Sequence, residues 1–450
     1  MMNLIEAVKA AGVVGTGGAG FPTHVKLSAK VECFIVNAAE CEPLIETDKY
    51  LCRTFPERVV EAACAISEHL GAERTVIALK GKYKPEIAAL EKAIAEKNAR
   101  VELFQLRTFY PAGDEQTLVQ QVTGRCIPER GLPSDVGCVV DNVGTVLHVL
   151  DALEGKSVTD KYLSVVGEVK EPVVLHVPAG TSLRECVQAA GANLTDYGLI
   201  VGGPMMGRPL TDEQAIDAAV VTKTTGNLIV LPKDHYLFRK ARLTMETIRH
   251  QTKSACIQCR MCTDLCPRFL IGHQMRPNLM MRNLWREENI QDNDEYLATF
   301  GDAANCCSCG VCEMFACPMG LSPRKVNDYL KGELRKRGIQ VPRNMEPAAR
   351  TFVDVRKTPT DRLIARLGLS EYAGRHARTC LEVIPDEVFI PFQQHIGKPA
   401  RPVKAVGAAV FKGELIAEAA EGISANIHAS VSGTVINITP TGMTVRRRKE

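Results

Sequence analysis

Cys256-Ile-Gln-Cys259-Arg-Met-Cys262-Thr-Asp-Leu-Cys266-Pro267, and its echo Cys306-Cys307-Ser-Cys309-Gly-Val-Cys312-Glu-Met-Phe-Ala-Cys317-Pro318, decide how this chain is read. The first run has the spacing C-x2-C-x2-C-x3-C-P, in which three thiolates on one tight turn hold three irons of a cubane [4Fe–4S] cluster. The second run has one extra residue before its last cysteine. The fourth ligand must come from outside the turn, and where two such runs occur it comes from the other run. The expected ligand sets are therefore Cys256, Cys259, Cys262 and Cys317 for one cluster, and Cys306, Cys309, Cys312 and Cys266 for the other. Structural zinc is the alternative, but zinc sites pair two CxxC knuckles and need no third cysteine per run. Cys307 is one cysteine too many; it is read as a non-ligand, with a swap between Cys306 and Cys307 left open.

Working outward, 450 residues are too many for one core, and about three domains are expected. The composition, with 45% hydrophobic and 24% charged residues and a net charge of +3, is that of a soluble globular protein and calls for no nucleic-acid partner. The basic end, Arg446 to Lys449, reads as a solvated tail. No run approaches the roughly 18 apolar residues of a membrane span, and the N-terminus lacks a signal-peptide pattern, so a cytoplasmic protein is expected. In that reducing compartment, seventeen cysteines point to metal ligation rather than disulfides. The seven before Thr252, such as Cys33, Cys64 and Cys186, have no ligand spacing and read as small buried hydrophobes.

Residues 2–11 have helical apolar spacing, and a glycine cluster follows at 15–20. Strands are expected at 31–36, 75–79 and 101–106, helices at 56–70 and 84–97, and an acidic loop at 37–48. This alternation indicates an α/β domain, a parallel sheet covered by helices, over residues 1–155. Residues 156–240 read as a small α+β domain of β-grasp (SLBB) type, with strands at 162–169 and 173–177 and a capping box, Ser182 with Glu185, opening a helix that Gly191 ends. Residues 241–338 form the helical two-cluster ferredoxin-like domain, closing with a helix that Ser322-Pro323 starts and Gly338 stops. Residues 339–384, rich in proline and charge, read as a connector. Residues 385–450 hold short strands, at 403–406, 427–429, 433–438 and 444–446, separated by glycine turns and suggesting a β barrel-sandwich hybrid.

A glycine-rich turn lets backbone N–H groups approach a phosphate or aromatic ring, yet by itself is as readily a flexible turn. Here Gly15-Thr-Gly17-Gly18-Ala-Gly20-Phe21-Pro-Thr-His-Val-Lys26-Leu27 closely resembles the flavin loop shared by the NADH-oxidising subunit of respiratory complex I and the RnfC subunit of the Rnf complex. Asn37-Ala-Ala-Glu40-Cys-Glu42-Pro43, Tyr110-Pro-Ala-Gly-Asp-Glu115 and Asp141-Asn142-Val-Gly-Thr145 resemble that family's remaining flavin and nucleotide segments, in the same order. The resemblance implies non-covalent FMN with an isoalloxazine open to NADH. It implies that Gly17, Gly18, Gly20, Lys26, Asn37, Asn142 and Thr145 meet the phosphate and ribityl chain, and that Phe21, Glu40, Glu42 and Glu115 shape the nicotinamide side. Ala39, Ala112 and Asp114 depart from the complex I pattern and fit the Rnf-like branch better. NADH releases two electrons at once whereas a cubane accepts one, so a flavin between them is chemically required.

The C-terminal stretch from Val406 to Val435 resembles a biotinyl or lipoyl carrier domain, but Gly422 stands where the modified lysine would be, so a structural or docking module is expected. Its place at the end of the chain, the overall length and the extra residue before Cys317 resemble the cobalamin reductases of bacterial propanediol utilisation. That resemblance implies NADH-dependent reduction of cob(III)alamin towards cob(I)alamin for adenosylcobalamin regeneration, with an adenosyltransferase and microcompartment proteins as partners and residence inside a bacterial microcompartment. The alternative is the NADH-oxidising input subunit of a membrane Rnf-type ion pump. No Asp-x-His-x-x-Gly corrinoid loop is present, and His24, His176 and His428 read as ordinary polar or half-buried residues.

Overall fold

The computed structural model describes residues 3–449. Near the N-terminus, four parallel strands lie in the order Glu102–Leu106, Arg74–Lys80, Cys33–Asn37, Cys138–Asn142. Their apolar runs, such as Phe34-Ile35-Val36 and Val76-Ile77-Ala78-Leu79, are buried because both faces of a parallel sheet are covered. Helices Pro56–Leu70, Lys84–Glu96 and Val143–Leu153 pack on one face, and Glu115–Thr123 on the other. Strand order reverses between Cys33–Asn37 and Cys138–Asn142. The carboxyl ends of strands at such a reversal leave a crevice for ligands.

A second sheet is mixed, with six strands in the order Cys380–Glu382, Val173–Pro178, Asp160–Gly167, Asn227–Pro232, Tyr197–Val201, Arg208–Leu210. Its helix Leu183–Ala189 opens with the expected box, Ser182 Oγ accepting from Arg184 N and the Glu185 carboxylate from Ser182 N. The cysteine runs lie among the helices Met245–Ala255, Pro277–Asn283, Asn293–Phe300 and Pro323–Lys336, which close on Tyr296, Phe300 and Leu330. Two small sheets make the C-terminal unit around Ile390, Ile416, Ile427 and Val445.

Several expectations change. The first helix is Leu4–Ala10, and position 2 lies outside the described residues. The acidic loop ends early, because Thr47–Thr54 is a helix. Residues 403–406 are not a strand. Arg401–Pro402 pairs instead, and Val403 and Val406 are exposed because the chain turns there. Leu415–Glu418 and Glu387–Pro391 are strands that the pattern does not announce. Ser322 does not cap its helix. Its hydroxyl is buried without a partner, and Pro323 alone occupies the position that needs no N–H. Arg446 and Arg447 belong to the last strand and pair with Glu387 and Asp386 rather than forming a free tail. Within 339–384, Thr358–Pro359 pairs with Phe109–Tyr110, and Cys380–Glu382 is an edge strand of the second sheet, so this segment ties units together. Among the described residues, no helix is long and apolar enough to cross a membrane.

Candidate functional site

The two cysteine loops share one backbone. Gln258 and Ser308 have φ of 57° and 58°, and Arg260 and Gly310 have φ of 65° and 80°. These left-handed residues curl each loop so that its thiols face inward. Cys256, Cys259, Cys262 and Cys317 line one cavity, and Cys266, Cys306, Cys309 and Cys312 line another. The crossing of Cys266 and Cys317 between runs is thus present in the fold. Cys307 also lines the second cavity. The thiols stand around a space rather than converging on a point: among the described residues, no trio of His, Cys, Asp or Glu closes on a single ion. Burial pushes the Cys262 and Cys306 thiols up to about 12, so as free groups they would stay protonated. Such donors bind as thiolates only to a strongly cationic centre. Backbone N–H groups already point at sulfur, Ser308 N to Cys306 Sγ at 3.3 Å and Leu321 N to Cys317 Sγ at 3.3 Å. The residues fit iron–sulfur cubanes.

At the carboxyl edge of the parallel sheet, Asn37 and Asn142 are register partners. Asn142 caps helix Val143–Leu153 by accepting from Gly144 N at 2.8 Å, and its amide donates to Asp48 at 2.8 Å. Thr16 N donates to Thr145 Oγ1 at 3.0 Å, and Thr16 Oγ1 bonds Asn142 Oδ1 at 2.8 Å, which clamps the glycine loop over that helix start. A Cβ on Gly17 would meet Asn142 at 3.4 Å, whereas one on Gly18, at φ 130°, would point into open space. Gly20 serves packing: at φ 68°, its Cβ would meet His395 and Thr224 at 3.0 Å, on the C-terminal and second units. Half-buried Phe21 follows it.

Lys26 donates to Glu115 at 2.8 Å and lies 3.6 Å from Asp141. Burial lowers its affinity for a proton, but the two carboxylates outweigh that and hold it above the usual lysine value. Asp141, itself pushed up to about 6 by burial, keeps one oxygen without a partner, as does the buried Thr23 hydroxyl. These orphaned polar atoms beside an open glycine turn and a helix N-terminus fit a polar, phosphate-bearing ligand.

The three nominated carboxylates are separately engaged. Glu115 holds Lys26. Glu40, at φ 37°, accepts from Asp48 N at 2.8 Å, and burial together with Asp48 raises its pKa well above the ordinary value. Glu42 keeps some solvent contact yet lies deep among protein atoms. It accepts from Met205 N at 2.8 Å and Met206 N at 2.9 Å, and burial pushes its carboxyl up to about 7. Asn37 donates to Gly113 O at 2.9 Å, beside the Cys41 thiol, which burial pushes up to about 12.

Residues that motif reasoning missed join the two centres. Tyr110 OH donates to Cys309 O at 2.7 Å. Met205, bound by Glu42, accepts from Arg324 at 2.6 Å and touches Gly310. Arg268, next but one to Cys266, forms a two-pronged pair with Asp114 at 2.5 and 2.8 Å. Tyr110 and Asp114 stand inside one of the flavin-like motifs, but their partners are about 150 to 200 positions away.

Family models match in four places: the Nuo51 FMN-binding domain over residues 8–151, the SLBB domain over 162–209, the 4Fe-4S dicluster domain over 255–322, and the RnfC barrel sandwich hybrid domain over 372–449. The chain is 42% identical to the cobalamin reductase PduS of Citrobacter freundii, over 98% of this chain and 96% of that one. The Salmonella typhimurium protein of the same name is 42% identical over the same shares. One subunit of the Na(+)-translocating ferredoxin:NAD(+) oxidoreductase complex of Acetobacterium woodii is 34% identical, over 61% of this chain and 60% of its own length.

Proposed function

Because this chain belongs to the PduS cobalamin reductase family, we propose that it is an oxidoreductase that carries electrons from NADH, through FMN and two [4Fe–4S] clusters, to cobalamin, reducing cob(III)alamin towards cob(I)alamin. The observation that carries this reading is the direct join of the two centres, in which Tyr110 of the flavin-binding unit bonds the backbone of Cys309. When bound, FMN supplies the conversion of a hydride into single electrons, and the cubanes supply one-electron carriers.

The chain's own residues supply binding and order. The N–H groups of Gly17 and Gly18 and the start of helix Val143–Leu153 offer positive potential to the FMN phosphate, with Asn142 and Thr145 holding the loop in place. Asn37 and Lys26 would flank the ribityl side, and Phe21, Glu40, Glu42 and Glu115 would border the nicotinamide. Burial raises the Glu40 carboxyl well above the ordinary value and pushes Glu42 up to about 7, which weakens the negative charge on this side of the site. Cys266, Cys306, Cys309 and Cys312 hold the cluster nearer the flavin, because Tyr110 and Met205 abut that loop. Cys256, Cys259, Cys262 and Cys317 hold the farther one.

In this reading the working units are 1–155, 156–240, 241–338 and 385–450, with 339–384 as a connecting strap. Strand order in the second unit supports a β-grasp, a hairpin whose first strand is parallel to the last. This reading includes residence in a bacterial microcompartment of the cytoplasm, beside an adenosyltransferase that would use the reduced corrinoid.

Anaerobically purified protein should contain about one FMN and eight irons, bleach on NADH addition, and turn hydroxocobalamin into the cob(I) form. Bleaching without corrinoid turnover would reject the substrate and leave the relay standing.

A further inference from the structure

We propose that the corrin ring of the acceptor docks on the open face of the cavity lined by Cys256, Cys259, Cys262 and Cys317, seated against Ile257 and Met319; this rests on the cobalamin reading above. The two cluster cavities differ in what covers them. At the cavity of Cys266, Cys306, Cys309 and Cys312, Cys309 packs in one apolar cluster with Tyr110 and Met205, so the flavin-side units abut that loop. At the cavity of Cys256, Cys259, Cys262 and Cys317, by contrast, Cys259 is exposed. Ile257 and Met319, one from each cysteine run, line its mouth and are 61% and 47% exposed. Met261, at the start of the next helix, adds a third exposed apolar side chain at 39%.

Single exposed apolar residues are common, but a group at the mouth of the outermost redox cavity marks a contact site. The rim matches the chemistry of a corrin, whose flat faces are apolar and whose edge carries amides and a phosphodiester. Ile257 and the adaptable Met319 suit a face. The Gln258 amide and the exposed Arg260 guanidinium, which pairs with Asp264 at 3.2 Å, suit the edge. The patch is a few side chains wide, far below the roughly 800 Å² per partner that a stable protein interface covers. A small flat acceptor is therefore the occupant that it fits. The step balances: NADH yields NAD+, a proton and two electrons, which leave one at a time and take cobalt from Co(III) through Co(II) to Co(I).

The test uses anaerobic full-length holoprotein carrying Ile257→Glu or Met319→Glu, with Phe411→Glu as a control at a 70% exposed apolar residue on the C-terminal unit. Hydroxocobalamin reduction, divided by the rate of NADH-driven cluster bleaching in the same sample, should fall at least tenfold in the first two and be unchanged in the control. Ile257→Ser and Met319→Ser carry the test if a carboxylate expels iron. An unchanged ratio with eight irons present overturns the assignment. So does a loss seen only with corrinoid bound to another protein, which would make the rim a protein-docking face. A wild-type chain that bleaches with NADH yet reduces no corrinoid fails at the earlier reading, before the rim is reached.

Discussion

Gly18 and Gly20 stand two positions apart in one motif, yet the fold gives them different work. Gly18→Ala adds a methyl into open space at φ 130°, a conformation costing about 1–3 kcal/mol for an L-residue, and under the proposed function places it where FMN would approach. The expected result is protein with its full complement of iron but less than half its FMN, counted by absorbance after extraction. Gly20→Ala drives a methyl into His395 and Thr224, so thermal unfolding should move down by several degrees. Asp114 is a second residue whose role the motif does not reveal. Burial alone would raise its carboxyl, but the Arg268 guanidinium beside it reverses that and holds it below the usual range. Asp114→Ala leaves Arg268 buried and unpaired, and urea unfolding of the holoprotein should show a loss of about 3–5 kcal/mol. In sequence, Asp114 is merely a departure from the complex I pattern. Only its meeting with Arg268 shows it to be an anchor between flavin and cluster units.

At the scale of elements, the extra residue before Cys317 has a structural answer. The first run passes through an α-turn, Met261–Asp264, whereas the second runs through a π-helix, Val311–Ala316. A π-turn takes up one more residue than an α-turn over the same rise, so Cys317 still reaches the first run's cavity. Deleting Phe315 gives the second run the first run's spacing. Eight irons per chain should be retained, while the melting temperature drops because Phe315 packs beside Val311 and Met314. Loss of four irons would mean that the π-turn is needed for ligation. The strands legible in sequence were those with continuous apolar runs, such as Val76–Leu79. The short strands at 401–402 and 409–410 were not, because two residues carry no periodicity and their pairing is set by partners elsewhere.

Across the whole molecule, Lys223 is the point where three units meet. Its ammonium, buried in the second unit, donates to Gly12 O at 2.6 Å and Asn426 O at 2.7 Å, and its own N–H donates to Gln394 at 2.9 Å. Burial lowers its pKa to about 7 from the ordinary lysine value of 10.5. Between those two values the folded chain gives up a proton that the unfolded chain keeps, so this group's contribution to stability grows as pH rises from 7 to 10.5 and is lost as pH falls through 7. Lys223→Met should remove that part of the slope when melting temperature is followed against pH. It should also lower stability at alkaline pH by about 1–3 kcal/mol, since two buried carbonyls lose their donor.

Cysteine spacing and four short motifs, read as a line of residues, were enough to determine the iron–sulfur and flavin chemistry and the α/β character of the first unit, because thiolate ligation and strand burial are local demands written at fixed intervals. Which cysteine loop abuts Tyr110, which glycine opens into free space, and how residues 339–384 bind the units together were decided by tertiary structure alone. Those are contacts such as Tyr110 with Cys309 and Thr358 with Tyr110, between positions far apart in the chain, and their energy depends on desolvation and fit that no interval in sequence encodes.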